Sequence, residues 1–306
     1  MADLNPDVCV VQLNPRLEGA NIRTWIGFKH LMYLAEDAVL AWFRRLGYGP
    51  QRLFHECGVS IDFTGASVML PNLLEIDDGV VAESRPIDHR RFSVRMRVQN
   101  GNGGQIVLAG KIGARLVREP GTDARASLPD VLVPFLASDD EDAGGQDLPR
   151  GGDDAAAVLS RAHGNAFYWP WRARYFHCQY SERLQHSAYV RALEEVVDRF
   201  LVDRGLGIQR MLAERALIPV VSRVRVQVLA SARMDDTMHT TFAVNEVLKE
   251  KAFDGQMDCY VERGDTLVHV ATARILHGYA VSAGASAGQL AVLDDEIVAS
   301  LEGRPS

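Results

Sequence analysis

Residues 31–78 of this chain recur as residues 189–236, at a constant offset of 158 and without a gap. Ten positions are identical between the two stretches: Glu36/Glu194, Val39/Val197, Gly47/Gly205, Gly49/Gly207, Gln51/Gln209, Arg52/Arg210, Glu56/Glu214, Val68/Val226, Asp77/Asp235 and Asp78/Asp236. Most of them are glycines or charged residues, which a shared apolar pattern alone would not align. A fixed-period repeat means that one folding unit is used twice, so any architecture must be a doubled one. Between the copies, residues 138–157 read SDDEDAGGQDLPRGGDDAAA. That stretch has almost no large apolar side chains to offset the entropy of ordering, and it reads as a linker. The expected layout is a first module over 1–120, a linker over 121–162, a second module over 163–281 and a tail over 282–306. A short helix is expected near 290–301.

Each copy carries the same order of elements. A strand is expected first, at 8–13 and again at 168–180. A long helix follows. Residues 30–46 place Leu31, Leu34, Ala35, Ala38, Val39, Trp42 and Phe43 at helical spacing over more than one narrow stripe, which is the pattern of a mostly buried helix. Gly47 and Gly205 fall where that helix must stop. Strand-like runs come next, at 80–84 and 91–99 in the first copy and at 239–247 and 255–262 in the second. Hairpin turns are expected at 100–104 and 263–265, with last strands at 105–116 and 266–279. A sheet wrapped around one buried helix satisfies this order.

Composition narrows the function classes. The net charge is −7 over 306 residues, so the chain lacks the basic field of a nucleic-acid binder, although a local patch can still hold an anionic group. The cysteines, Cys9, Cys57, Cys178 and Cys259, are scattered, which fits buried free thiols better than a metal site. The first residues, MADLNPDV, have neither the basic start nor the apolar run of a leader, and no stretch approaches the ~20 apolar residues of a membrane span. A cytoplasmic location is the expectation.

The helix start Tyr189-Val-Arg-Ala-Leu-Glu-Glu, the following Gly205-Leu-Gly, and Leu34-Ala-Glu-Asp-Ala in the first copy resemble the hotdog superfamily. The nearest branch is the 4-hydroxybenzoyl-CoA thioesterase-like one. The resemblance covers about 230 residues of the chain. It implies an α+β double hotdog, with two antiparallel sheets each wrapped around a long central helix and paired side by side. It also implies a site at a helix start between two modules. There, free N–H groups and the helix dipole suit the developing oxyanion of a thioester. The family often carries Asp-x-Asp and then Gly-His before the helix. This chain has His177-Cys-Gln179 and Arg183 in the second copy, and Gly19-Ala-Asn21 in the first. Asn at that position is similar to the enediyne-type thioesterases.

The candidate catalytic residues are Glu36, Asn21, Glu194, His186, His30 and Glu182. Glu36 and Glu194 lie about two turns into their helices as a base or nucleophile, or else as buried structural acids. Asn21 and its counterpart Gln179 can orient water or hold a carbonyl, or simply cap a loop. His30 and His186 sit near helix starts, and Tyr180, Glu182 and His186 are expected to form a polar cluster. Gln179, Tyr180, Arg23 and Arg183 are candidate substrate contacts, the arginines for coenzyme phosphates. Asp77-Asp78 and Asp235-Asp236 read as turns.

Hydrolysis of an acyl-CoA or acyl-carrier-protein thioester is the leading expectation. Coenzyme A or phosphopantetheine would enter as part of the substrate, with no tightly bound cofactor. A dehydratase, or an acyltransferase or decarboxylase of polyketide or fatty-acid type, keeps the fold and changes the chemistry. Dehydratases of this fold pair a His with an acid, although the Asp-x-Asn-x-x-His stretch of MaoC-type hydratases is absent. A non-catalytic acyl-binding module is the third alternative. Tandem copies allow either a monomer or a homodimer. One working site, and not two, is expected, because the copies diverge just before the helix.

Overall fold

The computed structural model describes residues 8–99, 104–122, 124–137, 144–164 and 166–303. Most of the first expected hairpin turn, at 100–104, lies outside the described residues. The chain divides into two compact units. One is Met1–Asp142 with Phe176–Ser187, and the other is Ala143–Tyr175 with Ala188–Ser306.

The first unit contains β1 (Cys9–Leu13), α1 (Phe28–Arg45), α2 (Pro50–Cys57), β2 (Val59–Met69), β3 (Val80–Pro86), β4 (Arg91–Val98) and β5 (Ile106–Arg118). Its antiparallel sheet runs in the order β1-β3-β4-β5-β2. α1 packs on β1, β3, β4 and β5. Ala35, Ala38, Val39 and Phe43 are fully buried on it. The small Ala residues let the helix approach the sheet, and Ser84 Oγ–H donates to Ala38 O at 2.7 Å. Trp42, Phe43, Phe92 and Phe135 close the core with ring centroids 5.1–5.9 Å apart.

The second unit holds β6 (Leu148–Pro149), α3 (Ala155–His163), β7 (Phe167–Arg172), most of α4 (His186–Asp203), α5 (Ile208–Arg215), β8 (Leu217–Val228), β9 (Thr237–Leu248), β10 (Ala252–Arg263), β11 (Thr266–Val281) and α6 (Asp295–Glu302). Its sheet order is β8-β11-β10-β9-β7. This is the first sheet's order with each strand replaced by its repeat partner.

The offset of 158 holds to the residue from β1/β7 to α2/α5. Both ends of α1 and α4 obey it, as do both ends of α2 and α5 and of the 3₁₀ turns Leu17–Gly19 and Tyr175–His177. The identical residues are explained locally. Gly47 and Gly205 take φ of +83° and +72°. Arg52 donates to Gly47 O and to Glu56, at 3.0 and 2.8 Å, and Arg210 donates to Gly205 O and to Glu214, both at 3.0 Å. Asp78 and Asp236 each accept a backbone N–H from three residues earlier, which is turn chemistry. Past β3 and β9 the copies drift, because β9 is longer and turns through Lys249 and Glu250 at positive φ.

Three sequence expectations change. The strand expected over 168–180 stops at Arg172 and gives way to the 3₁₀ turn Tyr175–His177. The second short helices, α2 and α5, and the strands after them were not separately read from the sequence. Part of the span read as a linker is ordered. Asp154 caps α3 through Ala157 N at 2.8 Å, and Ala155, Val158 and Leu159 pack on Tyr260 and Leu267. Three alanines and a Val-Leu pair at helical spacing suffice for one buried face, although acidic and glycine residues dominate around them. The tail carries α6, close to the expected helix. The four cysteines are free, with Cys9, Cys57 and Cys259 buried, and burial pushes the Cys259 thiol up to about 12. Among the described residues no helix is long and apolar enough to cross a membrane.

Candidate active site

The segment Phe176–Ser187, which leads into α4, belongs to the first unit. Its ends are tied together by a Cys178–Leu184 bridge and by Gln185 N–H donating to His177 O at 3.0 Å. Tyr180 turns the chain in the left-handed region at φ +61°. This closed loop delivers two side chains. Arg183 meets Glu119, and His186, the first residue of α4, meets Glu36 on α1.

The His186–Glu36 pair is the central feature. His186 Nδ1 lies 2.6 Å from Glu36 Oε1, and the two side chains are 1% and 15% exposed. The other ring nitrogen, Nε2, is buried and has no hydrogen-bond partner among the described residues. A carboxylate on one nitrogen fixes the ring and its tautomer and leaves the second nitrogen for proton transfer. Residues 150 apart in sequence thus form a buried imidazole–carboxylate pair.

The second feature is a buried ionic cluster. Glu119, one residue beyond β5, has a side chain only 2% exposed. Arg183 holds both of its carboxylate oxygens, Nη1 lying 3.3 Å from Oε2 and Nη2 closer to Oε1. Ser60 Oγ–H donates to Oε1 at 2.5 Å, and Arg183 Nη2 also reaches Ser60 Oγ at 3.3 Å. Arg183 is therefore engaged by Glu119 and Ser60.

At the start of α1 the arrangement differs. Gly27 is the cap residue, and no side chain caps this helix end. A Cβ on Gly27 would sit 2.9 Å from Asn21 Oδ1, so the glycine makes room for the Asn21 amide beside the helix start. Gly19 makes room for His30 in the same way, at 2.9 Å from the ring. His30 stands edge-on to Tyr33 at 5.3 Å.

The remaining candidates are dispersed. The expected Tyr180–Glu182–His186 cluster does not form. Tyr180 stacks on Phe54 at 5.8 Å, while Glu182 is exposed and offers its carbonyl to the Cys178 thiol at 3.3 Å. Gln179 is half-buried and accepts the Ser181 N–H on its main-chain oxygen at 2.7 Å. Arg23 is exposed, with φ +83°. Glu194 lies half-buried in the second unit. Glu119 and Ser60 were missed by sequence reasoning. A lone acid just past an apolar strand was the available signal.

Residues 169–301, the second copy, match the model of the thioesterase-like superfamily. Solved two-module thioesterases share the fold along nearly the whole chain. One assigned as an oleoyl thioesterase of Lactobacillus plantarum is 11% identical, with 90% of this chain and 97% of that one covered at a TM-score of 0.59. The 12:0-ACP thioesterase of Umbellularia californica is 13% identical, with 89% and 94% covered at 0.58. An acyl-ACP thioesterase of Bacteroides thetaiotaomicron is 9% identical, with 90% and 100% covered at 0.55. No curated protein sequence matches the chain. The chain shares the double-hotdog fold of these structures.

Proposed function

We propose that this chain hydrolyses acyl thioesters, with His186 as general base and Glu36 as the acid that orients it. The His186–Glu36 contact at 2.6 Å, with Nε2 left unpartnered, is the observation that carries the reading. Glu36 accepts a hydrogen bond from Nδ1–H and stays ionised. Nε2 then takes a proton from water as its oxygen attacks the thioester carbonyl. The tetrahedral intermediate collapses, the C–S bond breaks, and Nε2 returns the proton to the departing sulfur. Backbone N–H groups of a helix start are suited to the oxyanion. Asn21, beside the uncapped start of α1, is suited to hold a carbonyl or a water.

The substrate would be an acyl group on phosphopantetheine. Two of the full-length structural relatives are named for acyl-carrier-protein substrates, which favours a carrier protein over free coenzyme A as the source of the arm. Duplication supplies two helix starts, but the counterpart of His186 is Phe28. The two helix starts are therefore not equivalent, and the working site is the one with His186.

A panel of acyl-CoA and acyl-carrier-protein thioesters, scored by release of free thiol, tests the reading. Hydrolysis that collapses in His186→Asn supports it. Hydrolysis undiminished in that variant overturns the assignment of His186. The same dyad suits dehydration, since a His–acid pair can move a proton from carbon and protonate a leaving hydroxyl. Loss of water from a 3-hydroxyacyl thioester, without thiol release, would establish that second reading.

A further inference from the structure

We propose that Glu119 is a positioning residue for His186, acting through Arg183 and never touching substrate. The proposal rests on the reading of His186 as the base.

Burying a carboxylate is costly unless it is paired and hydrogen-bonded. Glu119 meets that condition only through the loop that carries His186. Both of its oxygens are engaged by Arg183, and Ser60 adds a third contact. Arg183 lies three residues before His186, with buried Leu184 between them. The loop is thus held at two points. A guanidinium–carboxylate fork fixes direction as well as distance, because two parallel N–H···O contacts define a plane. The imidazole at the end of that short lever inherits the constraint.

The repeat provides the control. Arg183 corresponds to Trp25 and Ser60 to Ile218. Glu119 corresponds to Ser282, since Glu119 N–H donates to Gly58 O and Ser282 N–H donates to Ala216 O, a pair again 158 apart. His186 corresponds to Phe28. None of the three network residues is kept at the equivalent positions, where the helix begins with Phe28 in place of His186. A purely structural cluster has no reason to travel with the histidine.

The test combines kinetics with a spectroscopic readout on the full chain. Glu119→Gln should lower kcat by about 10²-fold, as misplacement of a reacting group by ~1 Å does, and leave KM within about twofold. In a His186→Asn background the same substitution should cost nothing further. Ser60→Ile, Arg183→Trp and Glu119→Ser made together install the residues found at the equivalent positions, and they keep the question open to test if Glu119→Gln fails to fold. They should show the same kcat loss. Nitrogen-15 NMR of the His186 ring should shift in Glu119→Gln, whether or not any thioester is a substrate, which separates this proposal from the thioesterase assignment. An unchanged His186 signal overturns it. So does a kcat loss that persists in the His186→Asn background, or a change confined to KM.

Discussion

The starts of α1 and α4 are the same place in a repeated module, and they have been made into different things. At α1 the positions are Gly19, Asn21, Trp25, Gly27, Phe28 and His30. At α4 they are His177, Gln179, Arg183, Gln185, His186 and Ala188. The pairs trade size. Gly19 and His30 are replaced by His177 and Ala188, so each start keeps one imidazole and one small residue at these two positions. The α4 start adds a guanidinium on a buried carboxylate and an imidazole on Glu36, at positions where the α1 start has Trp25 and Phe28. A duplicated scaffold can be kept by its local contacts while one of its two sites acquires the long-range ones.

The comparison is broken most severely at His186. His186→Phe installs the first copy's residue and should reduce kcat/KM by about 10³-fold, whereas Phe28→His should not raise it. Steady-state thioester hydrolysis with a check of folding by circular dichroism decides this. Glu36→Gln should cost about 10²-fold, and Glu194→Gln should stay within about twofold, because Glu36 is the acid in contact with His186. Equal losses from the two substitutions would show two working sites.

Stability sharpens the contrast further. His277, stacked on Phe253, is buried and its imidazole is held down to about 3 by loss of solvation. The register places buried Ala114 at the equivalent position of the first sheet. The unfolded chain takes up this proton near pH 6.5, well before the folded one does. His277 therefore leaves stability intact above pH 6.5 and removes it, by a few kcal/mol, as pH falls from 6.5 toward 3. Thermal unfolding across that range should be less pH-dependent in His277→Phe. The smallest effect should be symmetric. Gly47→Ala and Gly205→Ala each force a side chain into the left-handed region, and each should cost about 1–2 kcal/mol by denaturant titration. Unequal costs would mean that the shared scaffold is less equivalent than its geometry.

The doubled fold was legible because its signals are local. Gly47, Arg52 and Glu56 act within a few residues of one another, and their partners Gly205, Arg210 and Glu214 repeat the arrangement at a fixed offset. Short-range pattern carries such information. Glu36 and His186 were each legible as candidates, yet their pairing spans 150 residues and has no local trace. Glu119 was illegible for a related reason. It ends a strand, has no acidic counterpart in the other copy, and takes its meaning from a guanidinium 64 residues away. The ordered part of 144–164 was missed because a glycine- and aspartate-rich composition outweighed one short apolar face.

The assignment of Phe176–Ser187 to the first unit has a consequence for how the chain can be divided. A fragment ending at Asp142 would carry Glu36, Ser60 and Glu119 but neither His186 nor Arg183, and it would be left with a desolvated carboxylate lacking its cation. The complementary fragment would carry an imidazole with no acid. Each half is a complete module by topology and an incomplete one by chemistry. Activity from severed halves should therefore require both pieces in one tube.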